Sequence, residues 1–173
     1  MRLERDYFGA VKNFFGWFIS RFKPLAVHTE LIVDDDCWKV IQEKVRDNKV
    51  KIWHIMTPAN YDYYKNSFNI KYSKGKISEI MKKRYLWLIQ NNQKIGLHIH
   101  LSLTMKNMTY EEQEKLFKEG LGWMKEKLGI VPVEFVPGWW SFNKDTLKIC
   151  EKYGLKMIYE RDYDYTHDYH WVL

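Results

Sequence analysis

Cysteine is almost missing from this sequence: among 173 residues there are two, Cys37 and Cys150. Two thiols so far apart build neither a disulfide framework nor a zinc knuckle, and a reducing, cytoplasmic setting is the default expectation. Proline is scarce, at 4 residues, and no Gly/Ser/Pro-rich tract, repeat or low-complexity run interrupts the chain. A single domain over residues 1–173 is therefore expected. No apolar stretch approaches the roughly 18 residues that a membrane-spanning helix needs. The N-terminus lacks the basic start, apolar centre and small-residue cleavage site of a signal peptide. There is also no Arg-rich run. The net charge of +6 comes from 28 Lys and Arg scattered among 22 Asp and Glu, which reads as a solvated surface and argues against a nucleic-acid partner.

Aromatic residues, by contrast, are plentiful, at 17% with 8 Trp and 12 Tyr. Some must pack the core, but amphipathic rings in this number also suit a cleft that stacks against sugars or bases. The chain opens with Phe8, Val11, Phe14, Phe15, Phe18, Ile19 and Phe22 at helical spacing, up to the break at Pro24. Over residues 1–22 this predicts an amphipathic helix packed on the domain; lying on a membrane surface is the less favoured alternative.

From there strands and helices alternate. Strands are predicted over residues 26–33, 50–56, 94–103, 131–136 and 156–159. Helices are predicted over 37–48, 77–93 and 109–128, with a last one running from a cap at Asn143 or Ser141 to Gly154. The Thr109…Glu112 spacing is a capping-box signature. Residues 60–75 are rich in Tyr, Asn and Lys and read as a surface excursion with at most a short helix. Such alternation predicts an α/β fold with mainly parallel strands, in which functional groups collect at the strand C-terminal ends.

Three features fall at such ends. In Lys94–Leu103 the residues Ile95, Leu97, Ile99, Leu101 and Leu103 alternate strictly, so Gly96, His98, His100 and Ser102 share the opposite face. Two imidazoles two residues apart on one strand can reach a single cation; histidines hydrogen-bonded locally would give the same pattern. Asp34-Asp35-Asp36 ends the first strand, where Asp36 can cap the following helix. Alternatively, one carboxylate binds the cation while a neighbour acts as general base on water activated by it. Two His and one Asp with open positions would be a catalytic site, since structural zinc sites are closed. Pro137-Gly138-Trp139-Trp140 is the third feature. His54 reads as a packed histidine and His28 as structural.

These residues resemble the polysaccharide deacetylases of carbohydrate esterase family four, of which the chain looks like a short, divergent member. Ile32-Val33-Asp34-Asp35-Asp36 resembles the family's first motif. Ile95-Gly96-Leu97-His98-Ile99-His100 resembles its second, and the Gly-Leu-His-x-x-Leu pattern of 96–101 also resembles related deacetylases acting on small chito-oligosaccharides. Phe135 to Asn143, running on to Tyr153-Gly154-Leu155, resembles the third. The likeness spans residues 29–159 in order. It departs at Ser102, where the family has its second His, and at Val136, where it has an Arg. The late Leu-His-Asp motif lacks a counterpart at normal spacing, leaving His167-Asp168 or His170.

The resemblance implies an incomplete or distorted (β/α) barrel. It implies a metal-dependent hydrolase acting on a non-peptide C–N bond, removing an acetyl group from an N-acetylated sugar or cleaving a related small amide. Asp34 would be the base. Asp35, His98 and His100 would hold the divalent metal, zinc by default, with Asp36 replacing Asp35 if the register shifts by one. His167 or His170 would protonate the leaving amine, and Pro137, Trp139 and Trp140 would line the substrate cleft. A catalytically altered relative that binds glycan through the aromatic cleft is the alternative.

Overall fold

Five short strands, β1 (Leu25–Thr29), β2 (Val50–Ile55), β3 (Lys94–Ile99), β4 (Glu134–Pro137) and β5 (Lys156–Met157), form one sheet in the computed structural model. The structure describes residues 25–47, 50–101 and 108–159. All four strand pairings are parallel, and the strands stand side by side in chain order. A parallel neighbour needs a crossover, and crossovers are right-handed, so unidirectional strand order sends the helices to one face and leaves the other to curl inward. The result is an open, incomplete α/β barrel, as expected.

The helices are α1 (Asp35–Arg46), α2 (Tyr61–Phe68), α3 (Lys74–Gln90), α4 (Tyr110–Trp123) and α5 (Lys144–Lys152). Cys37, Ile41 and Val45 lie four apart on α1, as do Ile77, Met81 and Tyr85 on α3, and all six are buried. With Phe117 and Ile149 they meet the outward strand residues Val27, Trp53, Ile55, Leu97, Ile99 and Phe135 in one core. Each large apolar side chain so buried contributes about 1.5–3 kcal/mol. Thr109 and Glu112 form the expected capping box, and Asn143 caps α5. The run into Gly129, whose φ is 71°, ends as expected, though its last turn, Met124–Leu128, is a π-helix.

Several boundaries differ from the sequence reading. β1 stops at Thr29 and not at Val33, because the chain turns there: Asp34 N–H donates to Leu31 O. Residues 60–75 hold the short helix α2, as allowed, and the start of α3 at Lys74. The strand 94–103 is paired only to Ile99. The expected helix over residues 1–22 lies outside the described residues. Among the described residues, no helix is long and apolar enough to cross a membrane.

The other face of the sheet carries the site. Strand register sets His28 beside His54 and His54 beside Gly96, with His98 beside Val136. The inner face is therefore lined with imidazoles, walled by a small apolar group of Ala26, Val136, Ile158 and Trp140.

Candidate metal centre

Alternation along β1 brings His28, and Glu30 just beyond it, to the face that β3 lines with His98 and His100. The side chains converge. Nε2 of His100 lies 3.0 Å from Glu30 Oε1 and 3.1 Å from His98 Nε2, and His98 Nε2 lies 3.7 Å from the same oxygen. His28 offers a ligand atom within 4.8 Å of those of Glu30 and His98. His98 and His100 are buried, and Glu30 is partly so.

The donor set fits a transition metal. Four-coordinate zinc with bonds of 2.0–2.1 Å has ligand atoms about 3.3 Å apart. The three separations among Glu30, His98 and His100 scatter around that spacing. His98 Nδ1 is 2.9 Å from Val136 O; a carbonyl only accepts, so this nitrogen carries a proton, and Nε2 is the ring atom turned toward Glu30. A backbone carbonyl orienting a ligating imidazole in this way is the usual outer contact of a metal-binding histidine. Position 136, where an Arg was expected from the family resemblance, thus contributes its main chain.

Each of these side chains is held from outside. Asn60 Nδ2 donates to His100 O at 2.9 Å, fixing the chain just past β3. The Tyr63 ring stacks on His100 at 3.8 Å and 19°, and its hydroxyl donates to Glu30 Oε2 at 3.0 Å. On the other side, a Cβ at Gly138 would sit 2.4 Å from His100 Cγ, so only glycine lets β4's end close over that ring. Gly96 does the same for His54, whose Cδ2 lies 2.4 Å from its would-be Cβ.

Electrostatics follow from burial and pairing. Burial alone would raise the Glu30 carboxyl, but hydrogen bonds and charge from His100 and His98 hold it well below the usual carboxylate range. It is an anion in the fold. Burial lowers His100 against the opposing pull of Glu30. Burial, with His98 nearby, lowers His54 to about 3. A carboxylate anion beside imidazole nitrogens is the kind of donor set a divalent cation takes up.

The aspartate run stands at the start of α1. Asp34 Oδ1 accepts from Asp36 N–H (3.0 Å) and Cys37 N–H (2.9 Å), capping α1. Asp35 pairs with Arg84 and Asp36 with Lys39. All three are exposed. Asp34, expected as base, and Asp35 or Asp36, expected as metal ligand, thus stand at the start of α1: the paired strand ends four residues earlier than expected, and the carboxylate beside His98 and His100 is Glu30. The helix dipole explains the acidic run, since its N-terminus favours negative charge. His98 and His100 come together, while His167 and His170 lie outside the described residues.

Pro137 is buried at the end of β4. Trp139 and Trp140 follow with φ of 55° and 54°, a left-handed conformation that costs a bulky residue about 1–3 kcal/mol. That strain places Trp139 edge-on to His100 at 5.9 Å with 68% of its surface exposed, and Trp140 edge-on to His28 at 6.2 Å. Sequence reasoning missed His28, Glu30, Asn60 and Tyr63 as parts of the site. A signal existed for the first two: His28-Thr29-Glu30 has the same alternate-residue spacing as His98-Ile99-His100.

No protein-family profile and no curated protein matches the sequence. Solved structures do. The chain has a polysaccharide deacetylase-like fold. A CE4 (carbohydrate esterase family four) pseudoenzyme from Bacillus anthracis aligns with a TM-score of 0.57 at 14% identity, over 80% of this chain and 43% of that one. A mutant of the same protein, described as having restored enzymatic activity, aligns with a TM-score of 0.55 at 14% identity, over 79% and 44%. This chain spans under half the length of these structures.

Proposed function

We propose that this chain is a metal-dependent hydrolase that removes an acetyl group from an N-acetylated sugar or cleaves a similar small amide. The observation that carries the reading is the triangle of Glu30 Oε1, His98 Nε2 and His100 Nε2, with separations of 3.0, 3.1 and 3.7 Å. These three residues would hold a zinc-type divalent ion, replacing the Asp35, His98 and His100 set that the sequence suggested. When bound, such an ion polarises an amide carbonyl and lowers the pKa of water.

The chain's own groups supply the rest. One carboxylate among two imidazoles would cancel only one of a divalent ion's two charges, so the loaded site would stay net positive, suited to charge developing on an acyl oxygen. With Asp34 committed to its helix cap, His28 takes over as proton acceptor: it stands at the ligand cluster and an imidazole exchanges protons near neutrality. It takes the proton from the attacking water on a ring nitrogen and returns it to the leaving amine. Trp139, exposed at the rim, stacks on the sugar ring, while Trp140 packs with Val136 and Ile158 as the wall.

A second reading has its own support: none of the Asp34–Asp36 carboxylates is free to serve as base, and a structural neighbour is a pseudoenzyme. In that reading the same fold binds glycan through Trp139 without turnover. Metal content by mass spectrometry on protein purified without chelators, beside His98→Ala, tests the centre: about one equivalent, lost in the variant, is expected for a single site. Acetate release from N-acetylated chito-oligosaccharides by the zinc-loaded protein, abolished in His28→Ala, then supports the enzyme. Oligosaccharide binding weakened by Trp139→Ala without any acetate release selects the binding module.

A further inference from the structure

We propose that Tyr63 is a positioning residue that makes Glu30 a one-oxygen ligand, and so selects a four-coordinate, zinc-like ion over larger, oxygen-seeking ions such as Mn(II). This rests on the metal centre proposed above. The two oxygens of Glu30 face different partners: Oε1 meets His100 and His98 Nε2, while Oε2 accepts from the Tyr63 hydroxyl at 3.0 Å. An oxygen occupied by a phenolic hydrogen is not offered to a cation on the opposite side, so the carboxylate presents a single ligand atom. Ions that favour six or more oxygen-rich contacts draw on two-oxygen carboxylate binding, whereas tetrahedral zinc needs one atom per residue.

The hydroxyl's place does not depend on the bond it makes. The Tyr63 ring is stacked on His100 at 3.8 Å and backed edge-on by Phe68 at 5.7 Å. One residue of α2 therefore flattens one ligand ring and aims the other ligand's carboxylate. Tyr63→Phe keeps the ring and its stacking and removes only the donor, separating orientation from packing.

The test is Zn(II) and Mn(II) affinity of the full chain by competition with a chelating indicator, together with the visible spectrum of the Co(II)-loaded protein. Tyr63→Phe is expected to lose about tenfold to a hundredfold in Zn(II) affinity, the usual effect of removing an outer contact to a ligand. Mn(II) affinity is expected to hold or rise, narrowing the Zn/Mn ratio. Wild-type Co(II) protein is expected to show the intense visible absorption of a low-coordinate site, weakened in Tyr63→Phe. A variant matching wild type in Zn(II) affinity, Zn/Mn ratio and Co(II) spectrum overturns the proposal. So does weak, six-coordinate-type absorption in the wild type, which needs no variant. If His98→Ala abolishes Zn(II) binding while Tyr63→Phe changes nothing, this inference alone fails; if the wild type binds no Zn(II), the metal centre fails with it.

Discussion

Glycine 138 shows how narrowly single residues set this site. A methyl group there would overlap the His100 ring, so Gly138→Ala must push that ring or the β4 end aside, at about 1–3 kcal/mol for an overpacked interior. Thermal denaturation is expected to report the loss, and metal affinity is expected to fall with it if the displaced ring is a ligand, as proposed. His54 makes a second residue-level prediction. Its pKa is about 3 in the fold against 6.5 ordinarily, chiefly from burial. The unfolded chain therefore binds more protons between these values, so stability is fully present above pH 6.5 and declines as pH falls toward 3. The depressed Glu30 carboxyl acts in the same direction in stronger acid, being protonated first in the unfolded chain. Urea midpoints across pH 7 to 4 are expected to drop in the wild type and to drop less in His54→Gln. An equal slope in both would rule out His54 as a source.

At the scale of elements, the start of α1 separates two roles for one residue. Asp34 caps that helix through two backbone N–H groups, and losing such a cap costs about 1 kcal/mol. Asp34→Ala is expected to lower stability by that amount while leaving metal affinity, and any hydrolysis, unchanged within about twofold. Loss of turnover with intact metal binding would restore Asp34 as a base. Arg84 of α3 braces the same loop by donating to Ile32 O and to Asp34 O (2.8 Å) and by pairing with Asp35. The turn that follows Glu30 is thus held by α3, with α1, β2 and α2 between them along the chain. Alternation and capping signals made the helices legible in sequence. The end of β1 was not legible, since Leu31, Ile32 and Val33 are as apolar as the strand before them, and only the turn at Asp34 shows where pairing stops.

For the whole molecule, a ligand that binds only the folded state must stabilise it. Glu30, just past β1, and the two histidines, at the end of β3, lie about 70 residues apart in sequence, so the unfolded chain has no preformed site. Saturation at about a hundred times Kd adds about 2.7 kcal/mol. Zinc is expected to raise the melting temperature of the wild type, a chelator to reverse the rise, and His98→Ala to show neither. A wild-type melting temperature indifferent to zinc would count against the centre.

The sequence by itself determined the parallel α/β order, the helix caps at Thr109 and Asn143, and the shared face of His98 and His100, because each depends on spacing within a few residues along the chain. The tertiary structure alone decided which carboxylate joins those histidines. Asp34 and Glu30 sit four residues apart with comparable local credentials. The parallel register of β1 against β2, the turn after Thr29, and the reach of Tyr63 from α2 bring Glu30 to His98 and His100 and leave the aspartates at the helix start. Such convergence arises between strands distant in sequence, and no local pattern records it.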